Sequence, residues 1–281
     1  VAALQMTSGV DVEANVDAAL RLVERAADRG ATYIQLPEYF NYLGPAKGFT
    51  TAAESVPGPT TRRLATVAAS RRVTIHIGSL LERSDDPGRC YNTGVVLGPT
   101  GEIAATYRKA HLFDIDLPDQ VVHRESDSIR PGDRLVVCDL EGFRLGVSIC
   151  FDLRFPELYR SLALAGATVI AIPAAFNAVT GAAHWEVLVR ARAIENHAFV
   201  VAAAQVGTTD DGIATYGHSL IVDPWGEVVA ESREFGEDVL VAEVDVTEAV
   251  RRRGQIAVLQ LRKPELYGAA VHVSGDSPLE T

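Results

Sequence analysis

From Phe143 to Ile149, large apolar residues alternate with smaller or polar ones: Phe143, Leu145, Val147 and Ile149 against Arg144, Gly146 and Ser148. A period of two is the mark of a half-buried strand. Cys150 follows on the second face, with the small residues. Pro156 suits the first position of a helix, where a missing N–H costs nothing, and Glu157 suits the positive end of the helix dipole. The pattern therefore delivers a cysteine at a strand end, on a turn, just ahead of a helix over 157–166. Residues 1–6, 31–36, 73–81, 91–97, 102–107, 135–139, 199–206, 217–222 and 239–244 also read as strands. The β-branched run 167–172 reads as a strand covered on both faces. Helical spacing marks 16–27 (Val16, Leu20, Val23, Ala27), 60–72 and 184–197, the last with Glu186 and Arg190 four residues apart. The Gly- and Pro-rich stretch 44–59 reads as a surface loop, 173–181 as a loop, and 115–131, which shows no clear period, as a long ordered loop. The tail from Gln255 reads as irregular. Strands and helices alternate early, yet several strands are joined by short hairpin turns. The mixture predicts mixed sheets with helices on their outer faces. No repeat, low-complexity tract or linker interrupts 1–281, which predicts one domain.

Composition narrows the partners. The chain has 281 residues, 47% hydrophobic and 22% charged, with net charge −11 from 26 Lys+Arg against 37 Asp+Glu. An acidic surface argues against nucleic acid or an anionic membrane as the main partner. No apolar run approaches the ~20 residues of a membrane span, and no secretion signal is visible. Three cysteines (Cys90, Cys138, Cys150) at no metal-like spacing suit a reducing, cytoplasmic compartment rather than a disulfide framework. The seven histidines are scattered, with no HExxH or CxxC, so no metal is expected. No P-loop or dinucleotide signature is present, so no cofactor is expected either.

Three polar side chains stand just past the ends of apolar strands: Glu38, Lys109 and Cys150. Singly, each has an ordinary explanation: a helix-start acid, a surface lysine and a core thiol. Strand ends of one sheet, however, gather on one rim, where α/β proteins place ligands. Together the three supply what amide hydrolysis by a thiol requires. A carboxylate takes the thiol proton and returns it to the leaving nitrogen, a cation stabilises the growing oxyanion, and sulfur holds the acyl group.

With these motifs the chain resembles the nitrilase superfamily of carbon–nitrogen hydrolases. The matching pieces are Leu36-Pro37-Glu38, Tyr107-Arg108-Lys109-Ala110-His111-Leu112 and Ser148-Ile149-Cys150-Phe151-Asp152-Leu153-Arg154-Phe155-Pro156-Glu157. They continue through Ala183-His184-Trp185-Glu186, Arg190-Ala191-Arg192-Ala193-Ile194-Glu195-Asn196, Tyr216-Gly217-His218-Ser219 and Asp223-Pro224-Trp225-Gly226-Glu227 to Arg262-Lys263-Pro264-Glu265-Leu266-Tyr267. The most similar branch looks like the small amidases acting on deaminated glutathione or on ω-amides of 2-oxo acids. The resemblance implies a four-layer α-β-β-α sandwich with two mixed sheets, a homodimer or higher homo-oligomer with the tail lying along the partner, and a small amide as substrate. It implies Glu38 as general base, Lys109 as oxyanion partner, Cys150 as nucleophile, the Phe151 N–H in the oxyanion hole and Glu125 as a second glutamate beside the lysine. It also implies substrate contacts from Arg154, Phe176 and Thr180. Phe151 replaces a tyrosine common in this branch, and Ala182 stands where a proline is common. The alternatives are a substrate that is an N-carbamoyl compound or a nitrile, a papain-like pairing of Cys150 with His111 or His184, or a non-catalytic interaction protein on this fold.

Overall fold

The computed structural model describes residues 1–117, 121–209 and 212–267. Two sheets carry the architecture. The eight-stranded one runs Asp238–Val241, Ala2–Gln5, Tyr33–Gln35, Thr74–His76, Cys90–Leu97 and Leu80–Arg83, with Ile103–Arg108 and Ile129–Arg130 also paired to Cys90–Leu97. The six-stranded one runs Val136–Leu140, Phe143–Val147, Val169–Ala171, Phe199–Ala202, Leu220–Val222 and Val228–Glu231. Both mix parallel and antiparallel pairs.

Alternation along the strands shows how the sheets are stacked. Ala2, Ile34, Val95 and Val239 pack with Val16, Leu22, Leu64 and Ala68 of the helices Val12–Asp28 and Pro59–Arg71. Their neighbours Ala3, Tyr33, Val96 and Leu240 pack instead with Leu145, Val147 and Val201 of the other sheet. That sheet is backed in turn by Leu158 and Leu162 of Pro156–Leu164 and by Trp185 and Val189 of Ala178–Asn196. The order is helix, sheet, sheet, helix, the four-layer sandwich. A polar contact crosses the seam: Gln35 Nε2 donates to Val201 O at 3.0 Å.

Five sequence expectations need correction. The run 73–81 is two strands, broken where Gly78 takes φ +63° and packs on the Pro37 and Leu36 carbonyls. The stretch 115–131 is not a loop: Asp114–Leu117 pairs antiparallel with Val121–Arg124, and a 3-10 turn over Glu125–Asp127 follows. The helix expected from His184 begins at Ala178, capped by Asn177 Oδ1, which accepts the Val179 N–H at 2.9 Å. Within 44–59, Phe49–Ala52 is helical. The tail expected to be irregular from Gln255 opens after the helix Thr247–Gln255 and holds one further turn, Pro264–Tyr267. Residues 268–281, expected along a partner, lie outside the described residues. Among the described residues no helix is long and apolar enough to cross a membrane, and no group of three or more His, Cys, Asp or Glu is placed to hold a metal ion.

Candidate active site

Each sheet contributes strand ends to one rim. Glu38 follows Tyr33–Gln35 and Lys109 follows Ile103–Arg108, both in the eight-stranded sheet. Cys150 follows Phe143–Val147, and Ala175 follows Val169–Ala171, in the six-stranded sheet. The turn at Cys150 is tight. Its φ is +47°, in the left-handed region that non-glycine residues avoid, and its N–H donates to Pro173 O at 2.9 Å. Such strain persists only where the surroundings over-determine it. Cys150 opens the 3-10 turn Cys150–Arg154, and the first N–H groups of a helical turn have no partner within it. Among the described residues, the Phe151 N–H has no acceptor.

Lys109 is 2% exposed, and its ammonium donates to Glu38 Oε1 at 2.9 Å and to Glu125 Oε1 and Oε2 at 3.0 and 2.8 Å. Two buried carboxylates thus share one cation. A buried carboxylate must be supplied with donors. Glu38 also accepts from Asn92 Nδ2 at 2.8 Å and from the Ala175 N–H at 2.8 Å. Glu125 also accepts from Tyr39 Oη at 2.7 Å, the Phe113 N–H at 2.6 Å and Asn92 Nδ2 at 3.4 Å. Burial opposes the charge on Lys109, but Glu125 and Glu38 outweigh it and hold the ammonium well above the ordinary lysine value. Burial likewise opposes charge on Glu125, and Lys109 overcomes it, holding that carboxyl below the ordinary range. The thiol of Cys150 faces the Glu38 carboxylate and the Ala175 N–H. Burial and then the charge on Glu38 push it well above the ordinary thiol value, with Lys109 pulling the other way. At neutral pH the sulfur is therefore protonated and stands beside a carboxylate able to take the proton.

Glu38, Lys109, Glu125 and Cys150 line one cavity of about 370 Å³, whose remaining wall includes Tyr39, Leu43, Phe49, Phe113, Val122, His123, Ile213 and Thr215. A narrow recess beside Cys150 is lined by Phe113, Phe151, Phe176, Asn177 and Thr180. Arg154 lines neither space. Its guanidinium lies over the Phe151 and Phe176 rings, 5.8 and 5.2 Å from their centroids, and its Nη1 is 3.2 Å from His184 Nδ1. The two histidines weighed as partners of the thiol are engaged elsewhere, His184 with Arg154 and His111 with Asp152. Sequence reasoning passed over Tyr39, Asn92 and Ala175. Tyr39 had a signal in directly following Glu38, but Asn92 and the Ala175 N–H reach the carboxylates only through the fold.

Comparison with known proteins identifies the family. Residues 1–253 match the family described as carbon-nitrogen hydrolase. The omega-amidase NIT2-B of Xenopus laevis is 40% identical over 253 residues, covering 90% of this chain and 91% of the relative. The deaminated glutathione amidase of Bos taurus is 40% identical over 277 residues, covering 97% of this chain and 84% of the relative. Among solved structures, Saccharomyces cerevisiae Nit3, a member of branch 10 of the nitrilase superfamily, superposes with a TM-score of 0.82. It is 30% identical and covers 94% of this chain and 95% of its own. The family match over residues 1–253, the relatives 40% identical over most of their length and a buried acid–lysine–acid cluster against a thiol place the chain in the carbon-nitrogen hydrolase family.

Proposed function

We propose that this protein is an amidase that hydrolyses a small, carboxylate-bearing amide through a thioester on Cys150. The observation that carries the reading is the convergence of the Cys150 thiol, the Glu38 carboxylate and the Lys109 ammonium in one cavity. Glu38 accepts the thiol proton as sulfur attacks the carbonyl carbon. The negative charge passing to the carbonyl oxygen is met by the Lys109 ammonium and the Phe151 N–H. Collapse of the tetrahedral species breaks the C–N bond, and Glu38 gives its proton to the departing nitrogen, releasing ammonia or an amine. Water then enters and Glu38 takes its proton. The resulting hydroxide attacks the thioester, and the proton returns to sulfur as the carboxylic acid leaves. Glu125 touches none of the reacting atoms in this scheme; it keeps Lys109 charged and in place.

The carboxylate preference is drawn from the relatives, named omega-amidase and deaminated glutathione amidase, and from the positive charge of Arg154, which lies behind the Phe151 and Phe176 rings bordering the recess rather than in its wall. Pairing of chains is part of the same reading. Val179, Val187 and Ile194 leave apolar surface on the outer helix Ala178–Asn196 that a second copy would cover. Ammonia release measured with succinamate and glutaramate, against butyramide, N-carbamoyl-β-alanine and butyronitrile, tests the substrate class. Intact-mass measurement during turnover is expected to show an acyl adduct that Cys150→Ala lacks. Full turnover by Cys150→Ala would refute the proposal.

A further inference from the structure

Lys109 and Cys150 are carried by different sheets, so their spacing depends on how the segments around them are joined. Among the described residues, no main-chain hydrogen bond links 107–113 to 148–155. Among the described residues, every side-chain hydrogen bond between these segments ends on one carboxylate, Asp152. Its Oδ2 accepts the Tyr107 hydroxyl at 2.7 Å, and its Oδ1 accepts the His111 N–H at 3.1 Å and faces His111 Nδ1 at 2.7 Å. On its own side Oδ2 accepts the Ile149 N–H at 2.9 Å, immediately before Cys150. The Tyr107 hydroxyl in turn accepts the Ala110 N–H at 3.2 Å. The residues on both sides of Lys109 are thus tied to the residues on both sides of Cys150.

We propose that Asp152 and His111 form a positioning pair that sets the Lys109 ammonium against the Cys150 thiol, so that the oxyanion site assembles at the right spacing. Three features of the pair support this. Asp152 is fully buried, and a buried carboxylate holds its place only when both oxygens are supplied with donors. Here each oxygen has two, with the Nδ1 proton of His111 as the fourth. The imidazole is fixed from its other face as well, stacked on Phe155 with centroids 3.6 Å apart and planes 9° apart. Finally, His111 does not line the cavity holding the thiol; it borders an open groove with Arg134, Phe155 and Glu157. That excludes it as the base and leaves orientation as its work.

The experiment compares two variants of the whole protein with succinamate or glutaramate as probe. His111→Phe keeps an aromatic ring on Phe155 and deletes the Nδ1 donor. His111→Asn restores a side-chain N–H near the Nδ1 position. A displaced oxyanion site slows chemistry more than binding, and a misplacement of ~1 Å costs up to ~100-fold. The expected result is a fall of at least tenfold in kcat for His111→Phe with KM within about twofold, and recovery of most of that loss in His111→Asn. Melting temperature and near-UV circular dichroism confirm that the sites counted are folded. A His111→Phe protein with wild-type kcat and only a lower melting temperature would overturn the proposal, as would an Asn variant no better than the Phe variant. The inference rests on the thioester reading, and the two fail differently. An active Cys150→Ala protein removes both, whereas an inactive Cys150→Ala beside a fully active His111→Phe removes only this one.

Discussion

Replacing Glu125 by glutamine is the sharpest probe of the acid–lysine–acid cluster. The carboxylate receives five hydrogen bonds: two from the Lys109 ammonium and one each from Tyr39 Oη, the Phe113 N–H and Asn92 Nδ2. Glutamine offers one oxygen to these donors and turns an NH₂ group toward the rest, so at least one bond to an N–H or to the ammonium becomes a donor–donor contact. The two bonds to Lys109 are charge-assisted, at about 1.5–3 kcal/mol each. Together they set a ceiling of about 3–6 kcal/mol on the effect. The same bonds exist before substrate binds, so part of the loss appears as lower stability and only the remainder as a slower reaction. Removing one preorganised electrostatic contact to a developing oxyanion costs about 10²–10³-fold in kcat, and an indirect contact such as this belongs at the lower end, near 10²-fold. The assay is ammonia release from succinamate across a range of concentrations, giving kcat and KM separately, with active sites counted by stoichiometric alkylation of Cys150. Melting temperature and near-UV dichroism are recorded on the same samples. An unchanged kcat per folded site would refute the reasoning and leave Glu125 a purely structural acid.

Two further outcomes are expected. Glu125 is held below its ordinary value of 4.5, so its contribution to stability is complete above that pH and is lost as pH falls through the lower, folded-state value. The urea midpoint of the wild type should therefore decline below about pH 4.5 more steeply than that of Glu125→Gln, and parallel profiles would contradict the assignment. Gly78→Ala forces a side chain into φ +63°, with its Cβ only 2.0 Å from Pro37 O. It should cost roughly 2 kcal/mol or more in denaturant unfolding. It should also lower kcat, since the clash falls on the Pro37 carbonyl that directly precedes Glu38.

Much of this was legible in the chain. The alternation through 143–149 placed a strand, and the reactive side chains at strand ends placed a shared rim. What escaped has physical reasons. In Asp114–Leu117 the apolar members Ile115 and Leu117 are only half-buried, in a two-stranded ribbon outside both main sheets, so burial left a weak imprint on composition. The first turn of the helix Ala178–Asn196 looked like loop because it contains Gly181. That glycine is required by packing: a Cβ there would lie 2.5 Å from the Tyr216 side chain. The strand break at Gly78 follows from a contact with residues some forty positions earlier, which no local pattern reveals. The same holds for Asn92 and Asp152, ordinary polar residues in the sequence whose partners are brought to them only by the stacking of two sheets.

The reacting groups straddle the seam between the two sheets, with acid and lysine on one side and sulfur on the other. A small slip of one layer against its neighbour would therefore register at the carbonyl being attacked while most of the interior stayed intact. Substitutions deep in that seam, at Ala3 or Val96 for example, belong among those to which turnover responds before melting does, even though neither residue touches the cavity.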